Sequence, residues 1–189
     1  MDKDKTRYAI KLLLESFGED LNREGIKSTP FRVADFYEKA LSGSFVDPMK
    51  IISTQHYVSD NYNDVVLIKD IVFYSLCEHH LLPFFGNIHI AYIPKNNKVI
   101  GISNFLKLVQ VFANRLQLQE KFTKQITDTI VKCIKPKGIM VIVKARHLCM
   151  IMHNSNRTSN SKLVTLAIRG IFLKKMKMIS KIMSTFLKD

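Results

Sequence analysis

The chain has 189 residues, of which 47% are apolar and 24% charged. That profile excludes a disordered chain and allows one medium domain with its own core. The net charge of +13, from 29 basic and 16 acidic residues, favours polyanionic partners. Its lysines are scattered, dense mainly in the last segment LKKMKMISKIMSTFLKD, with no basic and aromatic interleaving of the kind that grips a single nucleic-acid strand. A nucleic-acid partner is therefore not expected.

The start, MDKDKTRYAIKL, alternates charges without an apolar signal region, and no stretch approaches the roughly 18 apolar residues of a membrane span. A cytoplasmic protein with no membrane partner is expected. Three cysteines, Cys77, Cys133 and Cys149, are too few for a disulfide framework and read as reduced thiols.

In chain order, TRYAIKLLLESF (6–17) has mostly helical apolar spacing and stops at Gly18. Thr29 is the expected N-cap of a second helix with Pro30 at its first position, turning Val33, Phe36, Tyr37, Ala40 and Leu41 inward. Residues 44–63 show no period and read as a loop. DVVLIKDIVFYSL (64–76) is β-branched and aromatic, hence a strand, and it runs directly into Cys77. FFGNIHIAYIP alternates as a second strand before the turn at Asn96 and Asn97. Ser103 is the expected cap of a helix carrying Phe105, Leu108, Val109, Phe112 and Leu116 on one face. A further helix spans about Gln119 to Lys135, closed by Pro136 and Gly138. GIMVIVKARHLCMIM and SKLVTLAIRGIF read as two more strands around the polar loop HNSNRTSN, and the basic tail after Phe172 as an amphipathic helix. This order predicts an α+β fold with an antiparallel sheet. The expected organisation is an N-terminal helical segment over 1–63, a catalytic domain over 64–173 and a helical tail over 174–189.

Cys77 and His80 stand at C-x-x-H spacing where a strand leaves the sheet, and His147 and Cys149 flank Leu148 at the end of another. Thiolate and imidazole donors together suit zinc. If the two strands are neighbours, Cys77, His80 and Cys149 converge, with His79 and His147 beside them. Three protein ligands leave a tetrahedral ion one position for water, the arrangement of a catalytic metal site. The plainer reading is a pair of core cysteines and polar loop histidines, because pairing across the chain is not visible in its sequence. Cys133 aligns with the Ile126, Ile130 and Ile134 face and reads as core.

CEHHLLPFFGNIHIAYIP, VIGISNFLKLVQVFANRLQLQEKFTKQI, HLCMIM and NSKLVTLAIRGIF resemble the GTP cyclohydrolase I family in order and spacing, and STPFRVADFYEKALSG resembles its N-terminal helical segment. The resemblance covers roughly residues 5–172, and the joint occurrence of CEHH, LQxQE and HxCM is more specific than any one motif. It implies a T-fold, a four-stranded antiparallel sheet with two helices on one face, and zinc-dependent hydrolysis of GTP to 7,8-dihydroneopterin triphosphate and formate, opening tetrahydrofolate biosynthesis. It implies Cys77, His80 and Cys149 as zinc ligands and His79 and His147 as the acid/base pair. Glu120 is implied as acceptor for guanine, with Gln119 and Ser103 near base and sugar. Lys107 and Arg32 fall at triphosphate positions, whereas Asp35, Asn104 and His153 stand where the family usually places cations. Arg146, Arg157, Lys162 and Arg169 are candidates to compensate. The resemblance also implies a homodecamer of two pentamers with pockets shared between subunits. The competing expectation is a catalytically impaired, zinc-stabilised oligomeric relative, or one acting on another purine nucleotide. A zinc nucleoside deaminase is excluded, since H-x-E with P-C-x-x-C is absent.

Overall fold

The computed structural model describes residues 1–52, 55–57, 62–153 and 161–187, with the side chains of 55–57, 153 and 187 left aside. The chain forms two compact units, Met1–Ser42 and Gly43–Asp189.

In the first unit, α1 (Lys3–Ser16) is capped by Asp2, whose side chain accepts from the Lys5 N–H. In α2 (Thr29–Ala40) the cap falls on Ser28, one residue before the Thr29 expected from the sequence, so Pro30 takes the second helical position. The two helices pack on each other. Lys3 bridges Asp35 at 2.7 Å and Glu38 at 3.0 Å, and the Arg7 guanidinium lies over the Phe31 ring. Only Pro30 and Ala34 of α2 are buried, and Tyr8, Leu12, Leu13, Phe31 and Phe36 stay exposed. The spacing predicted helices here, but the inward burial of Phe36 is not found.

The second unit is built on a sheet. Its long strands are β2 (Val66–Cys77), β3 (Pro83–Ile93), β6 (Gly138–His147) and β7 (Leu163–Gly170). All neighbouring pairs among them are antiparallel, as expected. A two-residue strand, β5 (Leu116–Gln117), adds a short parallel pairing beside the end of β2, giving the order β5-β2-β3-β6-β7. β1 (Gln55–Tyr57) pairs with β4 (Lys98–Ile100) inside the stretches read as loop and turn.

Helices α3 (Ile102–Ala113) and α4 (Gln119–Ile134) cover one sheet face. Period-two alternation puts Ile71, Phe73, Phe84, Ile88, Ile90, Val141 and Val143 against Phe105, Leu108, Phe122, Ile126 and Ile130, all buried. Each such side chain contributes about 1.5–3 kcal/mol by leaving water, so this face is the main core. Gly101, not Ser103, caps α3, and Leu116 leaves that helix for β5. The tail forms α6 (Met176–Leu187), whose Ile179, Ile182 and Phe186 pack with Ala91, Ile93, Met140 and Ile142 on the opposite face. A Cβ on Gly86 would overlap the Lys144 carbonyl oxygen, so glycine lets β3 and β6 close up just below the sheet end that carries Cys77 and His147.

Candidate metal centre

Cys77 ends β2 and opens a tight turn. Its N–H donates to the Leu82 carbonyl and its carbonyl accepts from the Leu81 N–H, both at 2.9 Å, and Leu81 takes a left-handed φ of 56°. The Glu78 N–H donates to the Gln117 carbonyl at 3.1 Å, tying this turn to β5. Gln117 is itself anchored, its Nε2 donating to the Phe112 carbonyl at 2.8 Å and to Gln125 Oε1 at 3.0 Å.

The second arm departs from the sequence expectation. The strand predicted through Met152 stops at His147, and the chain turns into a short helix, α5 (Leu148–His153). Cys149 therefore approaches from the first turn of a helix, not from the same strand face as His147. The convergence still holds. Ligand atoms of Cys77, His80 and Cys149 lie within 4.8 Å of one another, and Cys77 Sγ is 3.9 Å from His80 Nδ1. Donors around a tetrahedral zinc at about 2.0–2.3 Å stand roughly 3.5–3.8 Å apart, so the cluster needs only a slight contraction. Both cysteines are buried and His80 is exposed. Burial, then the neighbouring Cys77, pushes the Cys149 thiol above its ordinary pKa. Two adjacent sulfurs in a buried site ionise together readily only around a cation, which is chemistry a divalent soft-tolerant metal supplies.

His147 is buried next to this cluster, its ring stacked on Phe84 with centroids 4.5 Å apart. Gln119 fixes that ring. The Gln119 Nε2 donates to the Val143 and Leu163 carbonyls, both at 3.0 Å, and to Thr165 Oγ1 at 3.1 Å. Those acceptors settle the amide orientation, so Gln119 Oε1 at 2.8 Å faces His147 Nε2 as an acceptor. The imidazole must carry its proton on Nε2, leaving Nδ1 as the nitrogen open to proton exchange. Burial lowers the His147 pKa, and the Glu120 carboxylate near it works in the opposite direction.

His79 is exposed in the turn, its ring 6.1 Å from that of His80. Glu120 is exposed in the first turn of α4, and its neighbour Lys121 reaches Glu78 at 3.5 Å. Gln119, expected near substrate, is instead 1% exposed with both amide ends engaged by protein. Ser103 and Lys107 are exposed on α3, while Gln117, four residues after that helix ends, is the register partner of Cys77. At about 1.5 Å per residue, Ser103 stands roughly 15 Å up the helix from the end nearest the cluster. Arg32 is exposed on α2 of the first unit, where Asp35 is paired with Lys3.

Arg146 and Lys162 face the opposite side of the sheet from His147, and Arg169 pairs with Asp128 at 2.9 Å, six register positions from the Ala145 end of β7. The His153 side chain and the loop 154–160 with Arg157 lie outside the described residues. Sequence reasoning missed Phe84, Gln117 and Thr165. Nothing in the sequence marked them, since Gln117 in β5 and Gln119 at the start of α4 show their burial and partners only in the folded chain.

The family model described as GTP cyclohydrolase I matches residues 6–186. A protein named GTP cyclohydrolase 1 from Carboxydothermus hydrogenoformans is 45% identical over 172 residues, covering 91% of this chain and 88% of its own. One from Geobacillus kaustophilus is 48% identical over 165 residues, with coverages of 87% and 86%. One from Desulforamulus reducens is 43% identical over 188 residues, with coverages of 100% and 99%.

Proposed function

The chain belongs to the GTP cyclohydrolase I family, and from that premise we propose how its residues convert GTP to 7,8-dihydroneopterin triphosphate and formate. Cys77, His80 and Cys149 hold a zinc ion, a donor set that the 4.8 Å cluster supports. Bound there, zinc supplies Lewis acidity that brings the pKa of water down to about 7.

The remaining roles belong to side chains around it. His147, neutral with its proton on Nε2, offers Nδ1 to take a proton and return it. His79, on the exposed face of the same turn as His80, is the second proton carrier. The Glu120 carboxylate accepts from the guanine N1–H and 2-amino group, and loss of such a charged acceptor costs on the order of 2–5 kcal/mol. Ser103 orients the sugar, and Lys107, Arg32 and a protonated His153 take the triphosphate. Gln119 acts through His147.

The exposed stations of Ser103 and Lys107 on α3 support a pocket completed by another copy of the chain, in a cytoplasmic homodecamer. The single observation that carries the reading is the Cys77, His80 and Cys149 cluster beside an imidazole whose tautomer is set by Gln119. Incubating zinc-loaded protein with GTP should release formate and a fluorescent pterin, and chelation should stop both. Folded, zinc-replete protein that yields neither would overturn the assignment of these roles.

A further inference from the structure

The sheet face opposite the metal cluster holds a recess of about 560 Å³ that the roles above do not use. Phe85 and Arg146 are register partners on this face, one residue along from Phe84 and His147 on the other, so the two sites stand back to back at one end of the sheet. Lys69, Lys144, Arg146 and Lys162 line it, and Asp70 is the one carboxylate among its described lining residues. Four cations against one carboxylate, converging on a single recess instead of running along a groove, match a compact polyanion better than a strand of nucleic acid.

A buried group at the recess adds a second, independent sign. His89 is 3% exposed, held under α6 with its ring stacked on Phe186 at 5.1 Å between centroids. The Asp70 N–H donates to His89 Nδ1 at 3.2 Å, made possible by the irregular step in β2 where Asp70 takes a left-handed φ of 58°. A backbone N–H is always a donor, so Nδ1 carries no proton and the neutral ring has its N–H at Nε2. That Nε2–H has no acceptor among the described residues, and the ring lines the recess. Burial lowers the His89 pKa, in keeping with a neutral donor. Its Nε2–H is not sealed from solvent, so it is open to an acceptor that enters the recess. An oxyanion with several acceptor oxygens would accept from it while meeting the surrounding ammonium and guanidinium groups.

We propose that this recess is a binding site for a small phosphate-bearing anion, held between Lys69, Lys144, Arg146 and Lys162 and accepting from the Nε2–H of His89. A phosphoryl group has enough oxygens to engage a guanidinium and several ammonium groups at once, which a monocarboxylate does not. The recess lies on the sheet face opposite α3 and the triphosphate position at Lys107, and it stands or falls separately from the catalytic roles.

Titration calorimetry of the full-length, zinc-loaded protein with inorganic pyrophosphate tests it, at low and raised salt. Saturable binding is expected in the wild type, weakened roughly tenfold or more in the Lys69→Gln/Lys144→Gln double variant and kept in Lys107→Ala. Formate release from GTP should be unchanged in the double variant. Should that variant misfold by circular dichroism, the exposed Lys162→Gln is read in its place, with weaker pyrophosphate binding expected. Wild-type affinity in the folded variant, binding that disappears only with Lys107→Ala, or equal competition by acetate would each overturn the proposal. Failure of GTP turnover in wild type would leave this titration readable, so the two readings are separable.

Discussion

Gln119 shows how one residue can join the core to the chemistry. Its amide nitrogen serves acceptors on β6 and β7, and its oxygen serves His147, so replacing it breaks a network that spans two strands and a helix. In Gln119→Leu, the Val143 and Leu163 carbonyls and the His147 N–H lose their partner at a site closed to water, at roughly 1–3 kcal/mol per unsatisfied group. Urea unfolding should therefore show a loss of about 2–4 kcal/mol, with partial relaxation taking up the rest. Steady-state assays should show kcat falling much more than KM for GTP changes, because His147 loses its orientation while the contacts proposed for Glu120 and the phosphate-binding cations are untouched. A raised KM at unchanged kcat would instead mark Gln119 as a direct substrate contact. The cysteines and histidines of this site were legible in the sequence because ligand chemistry confines them to few residue types at short spacings. The work of Gln119 was not, since an amide gives no sign of its partners until the strands that carry them are placed.

At the level of elements, the sheet was legible and its ends were not. The β-branched runs give strands wherever side chains meet neighbours on a pleated surface. Where β6 stops is decided by tertiary contacts, since His147 is stacked on Phe84 and the next residues coil into α5 to bring Cys149 back toward Cys77. The tail illustrates the same limit. Its amphipathic spacing predicts a helix, but only the structure shows which surface receives it, namely Ala91, Ile93, Met140 and Ile142 on the face that α3 and α4 leave open. Ile182 is 5% exposed in that contact. Ile182→Ala should cost about 2–4 kcal/mol by leaving a cavity between α6 and the sheet, read as a lower midpoint in chemical unfolding. A shift within error would mean that α6 docks there only loosely and that the second apolar cluster holds together without it.

At the scale of the whole molecule, the sheet is left with two long edges. Among the described residues, β2 is paired beyond β3 only at Leu76 and Cys77, and β7 is paired only with β6. Open edges of this length invite pairing with another strand, and the proposed homodecamer would let a second copy of the chain supply it. Such pairing would account for the placement of Ser103 and Lys107, which one chain holds roughly 15 Å and roughly 9 Å along α3 from the end near its own Cys77. If a neighbour's α3 supplies these residues to the cluster, each active site contains parts of two chains. Two inactive variants then complement each other. Cys149→Ser, which removes a proposed metal ligand, and Lys107→Glu, which reverses the charge at a proposed triphosphate position, should each release almost no formate alone. Dissociated and reassembled together, they form some interfaces in which an intact cluster faces an intact α3, and about a quarter of wild-type activity should return for random mixing in equal amounts. A site built within one chain gives no recovery at any ratio, since every chain in the mixture carries one lesion in its own pocket.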